Sequence, residues 1–177
     1  MDNKEFEQLY KRYAPMLYRT AYRMVKNDAD ALDIVQDAFI RIFNSFTKFR
    51  NEANVQTWMY RIVMNLCYDY FRKRKKVLFV SERDISDYDN NQQLPSDDNV
   101  EKIADLENQR KQNLQIALDK LTLRQRTVFN LRIYDELSYE DISKIMNIKI
   151  GTAKATFFQA VEKLKIIMKE MEKNELR

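Results

Sequence analysis

A single glycine and two prolines among 177 residues constrain this chain more than any other feature of its sequence. Tight β-hairpin turns need residues that accept a positive φ, and glycine does so without a steric penalty. A chain with so little glycine favours helices joined by polar turns. Hydrophobic residues make up 45% of the sequence, which is enough to bury a core. We therefore predict an all-α fold.

Charge is distributed unevenly along the chain. Residues 1–80 carry 15 basic and 9 acidic side chains, residues 81–110 carry 3 and 9, and residues 111–177 carry 13 and 9. We predict two small helical domains, at 1–76 and 100–177, joined by a flexible acidic linker at 77–99. Two basic modules that flank an acidic connector indicate a polyanionic partner for both ends.

The composition argues against catalysis and metal binding. The chain has no histidine, and its lone Cys67 sits in an apolar helical stretch, which predicts a buried thiol. Asp30, Asp33 and Asp37 share one helical face, but without a histidine or a glycine-rich loop they favour a protein contact over an active site. We expect no enzyme activity, no cofactor and no metal.

The polar start of the chain and the lack of an apolar run near 20 residues predict a cytoplasmic protein without membrane insertion.

Apolar residues recur at helical spacing through the first domain. One helix begins near Phe6 and contains Pro15, which can kink it. A second begins at Asn27, and a third is capped by Asn54 and runs to about Lys76. The predicted core positions are Leu32, Val35, Phe39, Ile42 and Phe46 on the second helix, and Val55, Trp58, Met59, Ile62, Leu66 and Tyr70 on the third.

The second domain carries three cap signals. A helix at 100–119 precedes Thr122 and Gln125, a capping box that starts a helix ending near Tyr134. Ser138 caps a short helix to about Met146, and after a turn at 147–149 a last helix runs from about 150 to 171. A short helix, a brief turn and a longer helix form the outline of a helix-turn-helix.

Both domains contain candidate nucleic-acid contacts. Melted DNA needs cations for phosphates and aromatic or polar groups for unstacked bases. The third helix offers Tyr60, Arg61, Asn65, Tyr68, Arg72 and Lys73, although each tyrosine is more simply explained as a core residue. Lys149, Thr152 and Lys154 lie where a recognition helix meets the major groove. The alternative for these residues is a solvated helix face.

Three segments resemble one family. The three segments occur in the order found in that family. They are residues 21–46; residues 54–74, with Thr57-Trp58-Met59-Tyr60-Arg61-Ile62; and residues 118–165, with Leu137-Ser138-Tyr139-Glu140-Asp141-Ile142 and Gly151-Thr152-Ala153-Lys154. The chain resembles the extracytoplasmic-function (ECF) RNA polymerase sigma factors over nearly its whole length. The resemblance implies a transcription initiation factor that guides polymerase to promoters and assists DNA melting.

The resemblance also implies roles for individual residues and partners. The partners would be the β′ and β subunits of the bacterial core polymerase, promoter DNA and an anti-sigma factor. The loop from Phe46 to Asn54 would capture a flipped base, and the acidic linker would thread the RNA exit path. Contacts with core polymerase would come from Asp33, Gln36, Asp37 and Arg41; contacts with the minus-ten element from Asn54, Gln56, Thr57, Arg61, Asn65, Arg72 and Lys73; and contacts with the minus-thirty-five element from Ser138, Tyr139, Lys149, Thr152, Lys154 and Ala155.

The chain departs from the family after Lys154. Residues 155–161 read Ala-Thr-Phe-Phe-Gln-Ala-Val where the family usually continues with Ser-Arg-Leu and further arginines, and Lys149 replaces a small polar cap. Fewer cations predict fewer phosphate contacts and a shallower salt dependence. Two other classes remain open from the residues alone: a dimeric helix-turn-helix regulator, which would need a dimerisation surface, and an adaptor or anti-sigma module.

Overall fold

The computed structural model describes residues 3–46, 54–80 and 101–175. Within these ranges it contains helices and no strand, which confirms the all-α prediction. The helices are α1 (Asn3–Val25), α2 (Asp28–Ser45), α3 (Val55–Val80), α4 (Glu101–Asp119), α5 (Leu123–Ile133), α6 (Tyr139–Met146) and α7 (Ile150–Glu175).

The helix starts follow the predicted caps. The side chain of Asn27 accepts from the amide of Asp30 at 3.0 Å and starts α2. Thr122 and Gln125 form the reciprocal capping box of α5. Ser138 caps α6. Each cap satisfies an amide that the first turn leaves without a helical partner.

Two helices are longer than the periodicity predicted. α3 continues to Val80, four residues beyond the expected end, and α7 continues to Glu175. α1 continues through Pro15 as one helix. The predicted linker lies outside the described residues from position 81 onward.

The buried stripe of α2 differs from the predicted one. Leu32 was assigned to the core, but it is 46% exposed. Val35, Phe39 and Ile42 are buried as predicted, and Ala31, Ile34 and Ala38 complete the buried stripe. A pattern of large apolar residues does not reveal buried alanines, whose small side chains allow close helix packing.

The C-terminal helices enclose a small core of their own. α4, α5 and α7 pack around Leu118, Leu121, Phe129, Leu164 and Ile167. Its inner aromatic contact is a stack of Phe129 on Phe157, with ring centroids 6.2 Å apart. This core holds the start of α7 in a fixed orientation.

The larger hydrophobic core joins both domains. α3 packs between α1 and α2 on one side and α6 on the other, and α1 also contacts α5. The C-terminal side chains in this core are Val128, Leu131, Leu137, Ile142, Ile145 and Ala153. Helix α3 is therefore covered on two sides, which places one of its faces against the C-terminal domain.

Candidate polymerase and nucleic-acid interfaces

The outer face of α2 presents all four residues predicted to contact polymerase. Asp33, Gln36, Asp37 and Arg41 are exposed at helical spacing. Two apolar side chains that the sequence reasoning missed extend this face: Leu32 is 46% exposed and Ile40 is 59% exposed. A polar face with exposed apolar side chains has the composition of a protein-binding surface rather than of a DNA-binding one.

One stripe of α3 is open to solvent and cationic. Arg61, Asn65, Arg72 and Lys73 are exposed, and Arg72 pairs with Asp69 at 2.9 Å. The spacing of Arg61, Asn65 and Arg72 is four and seven residues, so they lie on one face of the helix. The structure thus exposes these four of the seven residues predicted to contact the minus-ten element and places Arg61, Asn65 and Arg72 on one face.

The first turn of α3 is less accessible. The Asn54 side chain accepts from the amide of Gln56 at 2.9 Å, so Asn54 caps α3 as expected. Gln56 is half-buried, with its amide 3.7 Å from the sulfur of Met16. Thr57 is buried and donates to Asp141 of the C-terminal domain at 3.1 Å. Thr57 is therefore covered in this arrangement.

The two tyrosines considered as base platforms are core or interdomain residues. Tyr60 is 1% exposed, and burial together with the Asp135 carboxylate raises its pKa. Tyr68 donates to the hydroxyl of Thr127 at 3.0 Å, and its pKa is also raised, chiefly by burial. Helical periodicity predicted the face of α3 that packs against α1 and α2. It could not predict that α5 and α6 cover another face of α3, because those helices lie far along the chain.

Helices α6 and α7 form the predicted helix-turn-helix. Asn147 ends α6 with φ 52°, a left-handed conformation that asparagine tolerates, and the chain turns into α7 within three residues. At the start of α7, Lys149, Lys154 and Ala155 are exposed and Thr152 is half-buried. Positive charge at a helix N-terminus adds to the helix dipole, which favours an anion there.

Tyr139 is held beside this surface. Its ring lies 4.9 Å from the Arg132 guanidinium carbon and 5.9 Å from the Lys154 ammonium, and it meets Phe157 edge to face. Ser138 is exposed but is used as the α6 cap. Phe158, which the sequence reasoning did not assign, is 63% exposed one turn beyond Lys154.

Polar contacts also cross between the domains. Asp135 accepts from Thr20 at 2.9 Å and from Arg23 at 3.0 Å, and Lys26 pairs with Asp119. Burial raises the pKa of Asp135, although both donors oppose this. No sequence signal marks these pairs, because their partners are more than 90 residues apart.

The remaining predictions concern the loop after α2, metal binding and membrane insertion. Residues 47–53 of the proposed base-capturing loop lie outside the described residues. Across the described ranges, no group of acidic or cysteine side chains has the arrangement of a metal site. None of the helices described here is long and apolar enough to cross a membrane.

Comparisons with known proteins agree with this architecture. The Sigma-70 region 2 family matches residues 9–77, and the Sigma-70 region 4 family matches residues 111–164. The chain is 30% identical to the ECF RNA polymerase sigma factor SigW of Bacillus subtilis over 96% of this chain and 92% of that protein. It is 28% identical to the Bacillus subtilis RNA polymerase sigma factor SigV, over 84% and 82% of the two chains.

A solved structure is similar across both domains. It is the sigma factor RpoE of Bartonella quintana in complex with the anti-sigma factor NepR, which superposes with a TM-score of 0.72 and 26% identity over 94% of this chain and 98% of the other. The match to whole sigma factors, in the same domain order and over nearly all of the chain, shows that it belongs to the ECF family of RNA polymerase sigma factors, which give the polymerase its promoter specificity.

Proposed function

We propose that this sigma factor binds bacterial core polymerase through the outer face of α2 and reads promoters with α3 and α7. The proposal rests on one observation: three exposed surfaces differ in the kinds of side chain that they present. α2 presents Asp33, Asp37 and Ile40, whereas α3 presents Arg61 and α7 presents cations at its start. An acidic surface with apolar side chains suits a protein, and the two cationic surfaces suit DNA.

On α3, the proposed role is to bind the melted minus-ten element. Arg61, Arg72 and Lys73 would contact phosphates, while Asn65 and the first-turn residues Gln56 and Thr57 would contact bases. Extruding a base costs a few kcal/mol, and a polar pocket that receives it offsets part of this cost. The loop at 47–53 would supply the rest of that pocket.

On α7, the proposed role is to read the minus-thirty-five element in the major groove. Lys149 and Lys154 would contact phosphates or guanine, and Thr152 and Ala155 would approach base edges. Ser138 and Tyr139 would position α6 on the DNA backbone. Direct readout needs a rigid helix, and the packing of Phe157 against Phe129 supplies that rigidity.

The remaining partners follow from family membership. The β subunit would contact the C-terminal domain, and an anti-sigma factor would hold the protein inactive in the cytoplasm. The RpoE relative was solved with its anti-sigma factor NepR, which supports an anti-sigma partner here. The chain would act without a catalytic group or cofactor of its own.

The test is run-off transcription with bacterial core polymerase on a promoter library read by sequencing. We expect specific starts only when the protein is added. Arg61→Ala and Lys154→Ala should each reduce them, because each removes a cation whose DNA contact accounts for roughly 1–3 kcal/mol. Arg19→Ala and Lys165→Ala are matched controls, since both are exposed cations away from the proposed surfaces.

The result also separates this function from a dimeric operator-binding regulator. If core polymerase gains no specific starts while the protein alone shifts duplex DNA, the proposal fails. If both controls reduce transcription as much as Arg61→Ala and Lys154→Ala, general charge rather than the two surfaces explains the activity.

A further inference from the structure

A cavity of about 710 Å³ opens where the junction of α1 and α2 meets α4 and α5. Its volume lies within the range of about 300–1,000 Å³ that is usual for small-molecule sites. None of the residues proposed to contact polymerase or DNA lines it. The cavity is therefore separate from the three surfaces described above.

The lining of this cavity is cationic. It carries three cations and two carboxylates, which leaves one net positive charge. Lys26, which follows α1, and Arg126 of α5 both pair with the Asp119 carboxylate. The second carboxylate, Asp28, accepts from the hydroxyl of Tyr18. Two cations thus share one carboxylate, and their combined charge attracts a further anion.

Neither of these two cations is fully satisfied by Asp119. The Arg126 Nη1 lies 3.5 Å from the carboxylate and Nη2 lies 3.5 Å from the backbone carbonyl, whereas a good N–H···O bond is about 2.9 Å long. The Arg126 Nε is buried and has no hydrogen-bond partner among the described residues. Burial, with a contribution from Arg126, lowers the pKa of Lys26 although Asp119 opposes this. A phosphate oxygen beside both groups would supply shorter, charge-assisted hydrogen bonds.

Aromatic side chains border the same cavity. Tyr22 is 43% exposed and Tyr134 is 41% exposed, so both rings are accessible. The third cation, Arg23, places its guanidinium carbon 4.7 Å from the centre of the Tyr134 ring. Accessible tyrosine rings and guanidinium planes are surfaces on which a planar base can stack. Cations beside such surfaces are the combination that holds the phosphates and the base of a nucleotide.

We infer that this cavity binds a nucleoside diphosphate or a similar small phosphorylated aromatic compound, with its phosphates at Lys26 and Arg126 and its base against Tyr22 or Tyr134. The first residues of α2, 27–29, also line the cavity, and the positive end of that helix dipole favours the phosphates. The site goes beyond the proposed function, because it needs neither polymerase nor promoter.

The test is isothermal titration calorimetry of the full chain with each of the four ribonucleoside diphosphates at physiological ionic strength. We expect at least one of them to saturate a single site with a Kd below about 1 mM. Pyrophosphate, which lacks the base, and the matching nucleoside, which lacks the phosphates, should each bind at least about fivefold more weakly. Each of them has lost one of the two kinds of contact.

The phosphate contacts are tested with a double variant and a matched control. Lys26→Gln with Arg126→Gln should weaken nucleotide binding by roughly tenfold or more, since two charge-assisted hydrogen bonds are lost. Arg19→Gln with Lys165→Gln removes the same charge from exposed positions outside the cavity and should leave binding unchanged.

The base contact is tested separately. Tyr22→Leu should weaken nucleotide binding by about fivefold and leave pyrophosphate binding unchanged, a difference that a general loss of structure would not produce. Tyr10→Leu is the matched control, because Tyr10 is 44% exposed on the same helix and lies outside the cavity.

Three outcomes would overturn the inference. They are the absence of single-site binding by all four nucleotides, equal binding by the double variant and its control, or pyrophosphate binding as tight as that of the best nucleotide. Circular dichroism checks that the double variant remains helical, and Tyr22→Leu decides the question if it does not. The titration uses the free chain alone, so its result is independent of whether the proposed function holds.

Discussion

Met24 offers the sharpest test that the two domains share one core. It belongs to α1, is 1% exposed, and its sulfur lies 3.5 Å from the buried amide nitrogen of Asn130 on α5. Met24→Ala removes three heavy atoms, which costs about 2.4 kcal/mol at roughly 0.8 kcal/mol per buried methylene-sized group. A residual cavity and the unpartnered Asn130 amide add about 1 kcal/mol more.

We therefore expect Met24→Ala to lower the free energy of unfolding by about 3–4 kcal/mol. For a chain of this length, that corresponds to a fall in the melting temperature of roughly 10 °C. The measurement is urea unfolding followed by circular dichroism and by tyrosine fluorescence. Met24→Leu is the matched control: it keeps the volume and should cost below about 1.5 kcal/mol.

Two results would refute this reasoning. If Met24→Ala costs less than about 1 kcal/mol, α1 and α5 do not share a core in solution. If the two probes report separate transitions in the unmutated protein, the domains unfold independently, and the loss should then be confined to one of them.

Three further predictions follow from single side chains. Thr122→Ala breaks the capping box of α5 and should lower the free energy of unfolding by about 1 kcal/mol, measured by urea unfolding. Thr152→Ala is the control, because Thr152 lies within the first turn of α7 rather than at its N-cap. Burial raises the pKa of the Cys67 thiol to about 12, so a thiol reagent should react with it only after denaturation; fast reaction in the native protein would contradict its burial. Burial raises the pKa of Asp135 above 3.8, so the folded chain holds this proton more tightly than the unfolded chain. The difference in free energy of unfolding between the unmutated protein and Asp135→Asn is measured against pH. Stability of the unmutated protein should increase relative to the variant as the pH falls from the raised pKa toward 3.8. A difference that does not change with pH would contradict the burial of this carboxyl group.

Local signals predicted most of the helix starts. Asn27, Thr122 and Ser138 cap their helices as expected, because capping depends on residues within one turn of each other. The exposed outer face of α2 and the exposed start of α7 also agree with helical periodicity. The prediction for Leu32 was wrong, because a pattern of large apolar residues does not reveal that small residues such as Ala31 and Ala38 fill the buried stripe.

Helical periodicity could not predict that the C-terminal domain covers part of α3, and the reason is physical. A helical period separates one apolar stripe from one polar stripe, and Thr57, Arg61 and Asn65 fall on the polar stripe. Whether a polar residue stays in water depends on a partner elsewhere in the chain, and Asp141 is 84 residues away from Thr57. A threonine suits both environments, because its hydroxyl can donate to a carboxylate or to a DNA base with similar geometry. The neighbouring Arg61 stays exposed, since burying its charge without a carboxylate partner would be far more costly. The same stripe therefore divides into a part that the C-terminal domain covers, at Thr57, and a part that stays exposed, at Arg61.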